Sequence, residues 1–348
     1  MMTDGIGMDM GVAGKAPRGL MPGGEERWTA LRRRCRALLL LLLCAVPATA
    51  AVSSAPHPSL HGKRVLFLSS YDYGRAGVES YTRTYMKAMM GGGLASEDVV
   101  VEFLNLNTLS EPVLRTKMRE LLLLRYSEGS GHQADLIVAM QQPAFDYLLA
   151  ELAPLAQTTP VLAINTSGKA LPAGTPPTIW QQQANVDFAG TLAQAMALFP
   201  NTRQIVMAVG ASEADQTLKR RMQQAAQAWQ GKVALRYLDD LTLAQMRLEV
   251  ARLPPDALLV TGNVNRDVAG NIATPVQFAA QLARLANVPA FGLYNANLGQ
   301  GILGGSILDI EDAARQVAGI SLDVLAGRAP GALLPAVRPV PMYDWQQL

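Results

Sequence analysis

Neutral hydrogen-bonding side chains gather where the apolar runs of this chain stop. Tyr71 and Asp72 follow the run Val65–Leu68, behind Ser69 and Ser70. Gln141 follows Leu136–Met140, and Asn165 and Thr166 follow Val161–Ile164. Further on, Ser212 lies just past Gln204–Val209, Asn263 past Ala257–Thr261, and Tyr294 and Asn295 at the end of Pro289–Tyr294. Amides, hydroxyls and phenols orient a small ligand by hydrogen bonding and stacking. They are weak general acids and bases at neutral pH, so the set predicts binding and no catalytic residue. Taken singly, each Asn, Ser or Asp is equally an ordinary turn former or helix cap. Their repetition behind six apolar runs is what points to a site.

Motifs for other chemistries are missing or misplaced. The sequence holds no G-x-S-x-G, H-E-x-x-H or Walker A pattern. Gly299-Gln300-Gly301-Ile302-Leu303-Gly304 spells G-x-G-x-x-G, but Ile302 to Leu308 reads as a strand where a dinucleotide fold needs a helix. Its glycines suit a tight turn. Asp239-Asp240 reads as a strand end before a helix cap, and His132 as a loop histidine. Both cysteines, Cys35 and Cys44, precede residue 50, and the histidines are His57, His61 and His132. No metal site and no cofactor is expected from that inventory.

These residues need a scaffold to bring them together. From Lys63 onward, short apolar runs alternate with amphipathic stretches of helical period. That order predicts an α/β fold, a parallel sheet with helices on both faces and right-handed crossovers. A Pro/Gly-rich stretch, Leu171 to Pro177, interrupts the series, and a second β-α series comes after it. The fold class is therefore α/β with two doubly wound parallel-sheet lobes, a hinge and a cleft between lobes. Ligands of such sheets bind beyond the carboxyl ends of the strands, where the polar residues stand.

The N-terminal segment is different in kind. Arg32-Arg33-Arg34-Cys35-Arg36 is basic, Ala37–Val46 is apolar, and Ala48-Thr49-Ala50 supplies small residues. Those three parts in that order predict a secretory signal peptide and a periplasmic mature chain. Leu43 stands where a lipoprotein leader needs a small residue, so Cys44 is not expected to carry lipid. Residues 1–50 hold seven of the 30 Lys/Arg and four of the 28 Asp/Glu, which leaves 23 bases against 24 acids. A mature chain so balanced has no basic footprint for nucleic acid.

Val65-Leu66-Phe67-Leu68-Ser69-Ser70-Tyr71 resembles the first strand and loop of type 1 periplasmic binding proteins. Val288 to Tyr294, Leu298 to Gly305 and the helix ending Leu325 to Pro330 resemble that family's closing section. The likeness is to the substrate-binding group of ABC transporters that includes tryptophan/tyrosine-type binders. Extracytoplasmic sensor domains of histidine kinases and diguanylate cyclases share the pattern, and Pro341 to Leu348 resembles the strap that ends them. The resemblance implies a soluble, monomeric, hinge-bending binder that is not an enzyme and takes a small polar or aromatic molecule. It implies ligand contacts at Tyr71, Asp72, Gln141, Asn165, Asn263 and Tyr294. The partner implied is an ABC transporter permease or a membrane sensor protein, and the two stay open. The expected organisation is an N-terminal extension and signal peptide over 1–50, a first lobe over 63–183 and a second over 184–300. A closing strand and helix over 301–330, returning to the first lobe, and a strap over 331–348 complete it.

Overall fold

A computed structural model of the chain describes residues 60–348, apart from 107, 109, 110, 332 and 333. The extension and signal peptide expected over 1–50 lie outside the described residues. The first series is β1 (Val65–Ser69), α1 (Ala76–Gly91), β2 (Val99–Phe103), α2 (Pro112–Tyr126) and β3 (Leu136–Met140). It continues through α3 (Gln142–Glu151), α4 (Ala153–Thr158), β4 (Val161–Thr166) and β5 (Ile179–Gln183). The second runs α5 (Phe188–Leu198), β6 (Gln204–Ala208), α6 (Glu213–Ala226), β7 (Ala234–Leu238), α7 (Leu243–Val250) and β8 (Ala257–Thr261). It ends with α8 (Pro275–Leu285), β9 (Ala290–Phe291), β10 (Gly304–Ile307), α9 (Ile310–Leu325) and β11 (Val340–Tyr343).

The strands form two sheets, in the orders β2-β1-β3-β4-β5 and β11-β10-β9-β8-β6-β7. Every pairing is parallel except β10 with β11. Central strands covered by helices on both faces must be apolar throughout, and β1, β3 and β8 are buried at every position. Side chains alternate between faces. Val65 and Phe67 enter the core shared with α1 and α9, while Leu66 and Leu68 enter the core shared with α2 and α3. Local signals agree with this frame. α2, α3, α4 and α8 carry proline in the first turn, where a missing N–H costs nothing. α6 and α7 begin on capping boxes, Ser212 with Asp215 and Thr242 with Gln245.

The closing section departs in one respect from the sequence reading. The strand expected to return to the first lobe does not do so. β10 pairs with β9 and β11 in the second sheet, because paired Gly304 and Gly305 let neighbouring backbones approach. The crossing comes after the strand, and α9 packs along α1 in the first lobe. The first sheet ends at the edge strand β5, and the crossing comes after it. The chain therefore passes between lobes at Ala184–Asp187, after Leu308, and between α9 and β11. Side chains tie these passages together. Ser306 Oγ donates to Asp187 at 2.7 Å, Gln182 Nε2 to Pro335 O at 2.6 Å, and Asn185 Nδ2 to Val337 O at 2.8 Å.

The α1–α9 contact includes a fully buried polar link in an apolar setting. Tyr85 is fully buried and its hydroxyl donates to Ser321 Oγ at 2.9 Å. Ser321 in turn donates to Val317 O, so Tyr85→Phe leaves no donor stranded. The variant should lose about 1 kcal/mol, the net worth of one neutral hydrogen bond, measured as a lower urea midpoint with unchanged slope.

Candidate functional site

The carboxyl ends of both sheets open onto one cleft of about 570 Å³, a size suited to a small metabolite. Six of the residues singled out in the sequence line it: Tyr71, Gln141, Asn165, Thr166, Asn263 and Tyr294. The first four come from the first lobe. Asn263 and Tyr294 follow β8 and β9 of the second. Five helices, α1, α3, α6, α8 and α9, start on the cleft wall. Their dipole ends add positive potential to the recess.

Two of these residues hold backbone that side chains seldom adopt. Gln141 has φ 71° at the end of β3, and Asn165 has φ 53° at the end of β4. Such a conformation costs about 1–3 kcal/mol and persists where the surroundings impose it, most often at functional sites. Gln141 N–H donates to Ile164 O at 2.8 Å, which pins the turn between the two strands. The Oε1 of Gln141 is buried with no partner, and so is the hydroxyl of Tyr81 on α1, another wall residue.

The phenols along the cleft stay protonated. Burial pushes the Tyr71 phenol up, and the Arg75 guanidinium, 4.5 Å from the ring centroid, opposes it. Burial likewise raises Tyr294, against a hydrogen bond with Asn263 and the charge of Arg221. Both therefore serve as hydrogen-bond donors and stacking surfaces at neutral pH.

Bonds between the lobes cross the cleft. Arg75 donates to Asn265 Oδ1 at 3.1 Å. Lys169 meets Glu213 at 3.1 Å, and Arg221 donates to Ala184 O at 2.8 Å and Ser167 O at 3.3 Å. Behind Asn265 lies Asp215, fully buried, whose carboxylate accepts from Asn265 N–H at 2.9 Å and Asn265 Nδ2 at 2.6 Å. Asp215 thereby sets the Asn265 amide with its carbonyl toward Arg75.

Asp72, Ser212 and Asn295 stand off the cleft wall. Asp72 is half exposed and pairs with Arg75 at 3.2 Å, outside the recess. Ser212 caps α6, accepting from Asp215 N–H at 3.2 Å. Asn295 caps α9 by accepting from Ile310 N–H at 3.2 Å, and it also donates to Glu311. For Ser212 and Asn295 the capping role prevails, because the helix that each serves needs a partner for its free backbone groups, while Asp72 is held by its ion pair with Arg75.

Arg75, Tyr81, Arg115, Tyr147, Arg221 and Asn265 also line the cleft, and reading strand ends misses them. Four sit inside helices, where sequence period marks a face but not the neighbour it meets. Asn265, two residues past Asn263, continues the strand-end pattern and was within reach of the same reasoning. Among the described residues no cluster of His, Cys, Asp and Glu could hold a metal ion. Among them, too, no helix is long and apolar enough to cross a membrane.

Solved structures share this architecture. A conserved domain protein from Vibrio cholerae O1 biovar eltor str. N16961 aligns over 80% of this chain and 90% of its own, with 14% identity and TM-score 0.58. An ABC transporter solute binding protein from Agrobacterium vitis with bound allitol aligns over 82% and 97%, with 11% identity and TM-score 0.55. The ABC domain from Streptococcus pneumonia in complex with L-Trp aligns over 81% and 89%, with 15% identity and TM-score 0.52. No protein-family profile matches the chain, and no curated protein matches it in sequence. At these identities the likeness establishes the fold: two lobes of the periplasmic binding protein-like I type.

Proposed function

We propose that this chain is an extracytoplasmic solute-binding protein that captures a small polar or aromatic molecule between its lobes for an ABC importer. One observation carries the reading. The cleft gathers strand-end amides and phenols from both lobes, and two of its lining residues, Tyr81 and Gln141, carry a buried polar atom without a partner. A buried polar group without a partner costs about 1–3 kcal/mol, which a bound ligand recovers. Binding, not catalysis, is supported by the placement of the wall carboxylates. Asp146 is exposed and takes Gln142 Nε2 at 2.7 Å, and Glu213 is held by Lys169 at the rim. The leader supports export, and the three tied passages between lobes support closure around a ligand.

A thermal-shift screen of amino acids, nucleobases, sugars and organic acids tests the reading. A ligand at a hundredfold excess over its Kd stabilises the native state by about 2.7 kcal/mol, enough to raise Tm by several degrees. A broad library without a single shift would sink it. Import predicts that the loaded protein stimulates a cognate permease–ATPase complex in vesicles. Stimulation of a kinase or cyclase instead would assign the chain to sensing.

A further inference from the structure

We infer that the ligand is a small organic anion without an amino group, a carboxylate on an apolar or aromatic body, and that Arg115 is its charge partner. The inference rests on the reading of the cleft as a binding site and adds the ligand's chemistry. Four cationic side chains line the recess, Arg75, Arg115, Lys169 and Arg221. Lys169 is neutralised by Glu213, and Arg75 by Asp72. The other two have no carboxylate partner among the described residues. Arg221 donates to the carbonyls of Ala184 and Ser167, which satisfy N–H groups without cancelling charge. The Arg115 guanidinium lies 5.3 Å from the centroid of Tyr147 and has no hydrogen-bond partner among the described residues.

Other groups in the recess point the same way. Tyr81, a lining residue, is 2% exposed, and its buried hydroxyl is a donor without a partner. The five helix N-termini add positive potential. An α-ammonium group would meet this potential with little to hold it. Asp215 is enclosed behind Asn265 and Ser212 with its oxygens occupied, and Asp146 and Glu213 are exposed and engaged. The buried free acceptor is the neutral amide oxygen of Gln141, which suits a hydroxyl on the ligand. Tyr71, Tyr147 and Tyr294, with Met140 and Val276, supply the surface for an apolar body.

The test is titration calorimetry on the mature chain with two matched sets. One is 3-phenyllactate, its amide and L-phenylalanine. The other is 2-hydroxy-4-methylpentanoate, its amide and L-leucine. In at least one set the hydroxy acid should bind at least tenfold more tightly than its amide and its amino acid. That affinity should weaken as salt rises from 50 to 500 mM. Arg115→Gln should lower it about tenfold or more without moving Tm of the free protein, and Arg115→Lys should restore part of it. Amino acids or amides that bind as well as the hydroxy acids overturn the inference and leave the cleft reading intact. So does an Arg115→Gln variant of unchanged affinity. Silence from both sets also overturns it, and the wider screen then judges the cleft reading by itself.

Discussion

Asp215→Ala should lower the unfolding free energy by about 3 kcal/mol and loosen the second lobe's side of the cleft. The Asp215 carboxylate accepts from four donors: Asn265 N–H and Nδ2, Ser212 N–H at 3.3 Å and Arg266 N–H at 3.4 Å. Alanine strands these groups in a buried place, at about 1–3 kcal/mol for each that finds no water. Removing a desolvated charge returns part of that loss. Urea denaturation should show a lower midpoint at unchanged slope, and Arg75 should lose the fixed Asn265 carbonyl it now meets. Asp215→Asn tests the orientation separately. Its amide places N–H groups against the donors around it, so it too should destabilise, by a smaller amount.

The pH dependence rests on the direction of the shifts. Burial raises Asp215 above the ordinary aspartate value, and its hydrogen bonds from Asn265 and Ser212 only partly offset this. The folded chain thus holds that proton more tightly than the unfolded one. The stability this contributes is present below the unfolded value and is lost as pH rises through the folded value. Glu311 and Asp267 act in the opposite sense. Burial pushes each up, but hydrogen bonds from Ser80 and Asn295 to Glu311, and from Asn271, Leu243 and Ala269 to Asp267, hold both below their ordinary range. Their contribution is present above the unfolded value and lost as pH falls through the folded one. Without Asp215 this second slope stands alone, so Asp215→Ala should lose stability more steeply than the parent between about pH 5 and 3. An equal or shallower acid slope in the variant contradicts this assignment.

Gly305→Ala should be comparably damaging, by about 3 kcal/mol, for a steric reason. Gly305 has φ 149°, a region that L side chains rarely enter, and its neighbours are close. An added Cβ would stand 2.7 Å from Gly292 O and 3.0 Å from Thr191. Thr191 cannot retreat freely, since its Oγ1 accepts from Ser306 N–H at 3.0 Å. Backbone strain and overpacking each cost about 1–3 kcal/mol. Because β10 leads directly into the passage to α9, ligand-induced stabilisation should fall with Tm. Gly299→Ala is the control. It shares a positive φ, 73°, but a Cβ there meets nothing within 4 Å, so the loss should be about 1 kcal/mol. A Gly305→Ala protein that melts with the parent would show that this backbone approach has room to spare.

Much of the fold was legible because burial imposes pattern. Strands covered on both faces must be apolar runs, and the helices between them must show one apolar stripe. Val65–Leu68, Leu136–Met140 and Ala257–Thr261 carry that requirement openly, so the α/β class and the two lobes are read from the residues alone. The position of cleft-lining residues behind strand ends was legible too, since parallel sheets direct all their carboxyl ends to one side. That is why Tyr71, Gln141, Asn165, Thr166, Asn263 and Tyr294 meet on one wall.

Tertiary structure decided what local pattern does not encode. Asp72, Ser212 and Asn295 have the same residue chemistry as their neighbours on the wall. Whether such a side chain turns to the cleft or back to a helix end depends on which N–H groups lie within reach, a matter of φ, ψ and packing. Arg115 and Arg221 sit inside helices and Arg75 just before one, where no strand-end pattern marks them. Only the closing of two sheets around one recess brings them to face Tyr81 and Gln141, and 190 residues separate Arg75 from its cross-cleft partner Asn265. The composition of each strand and helix was thus determined by the sequence through burial. Which charged side chains face the cleft was decided by long-range contacts between lobes.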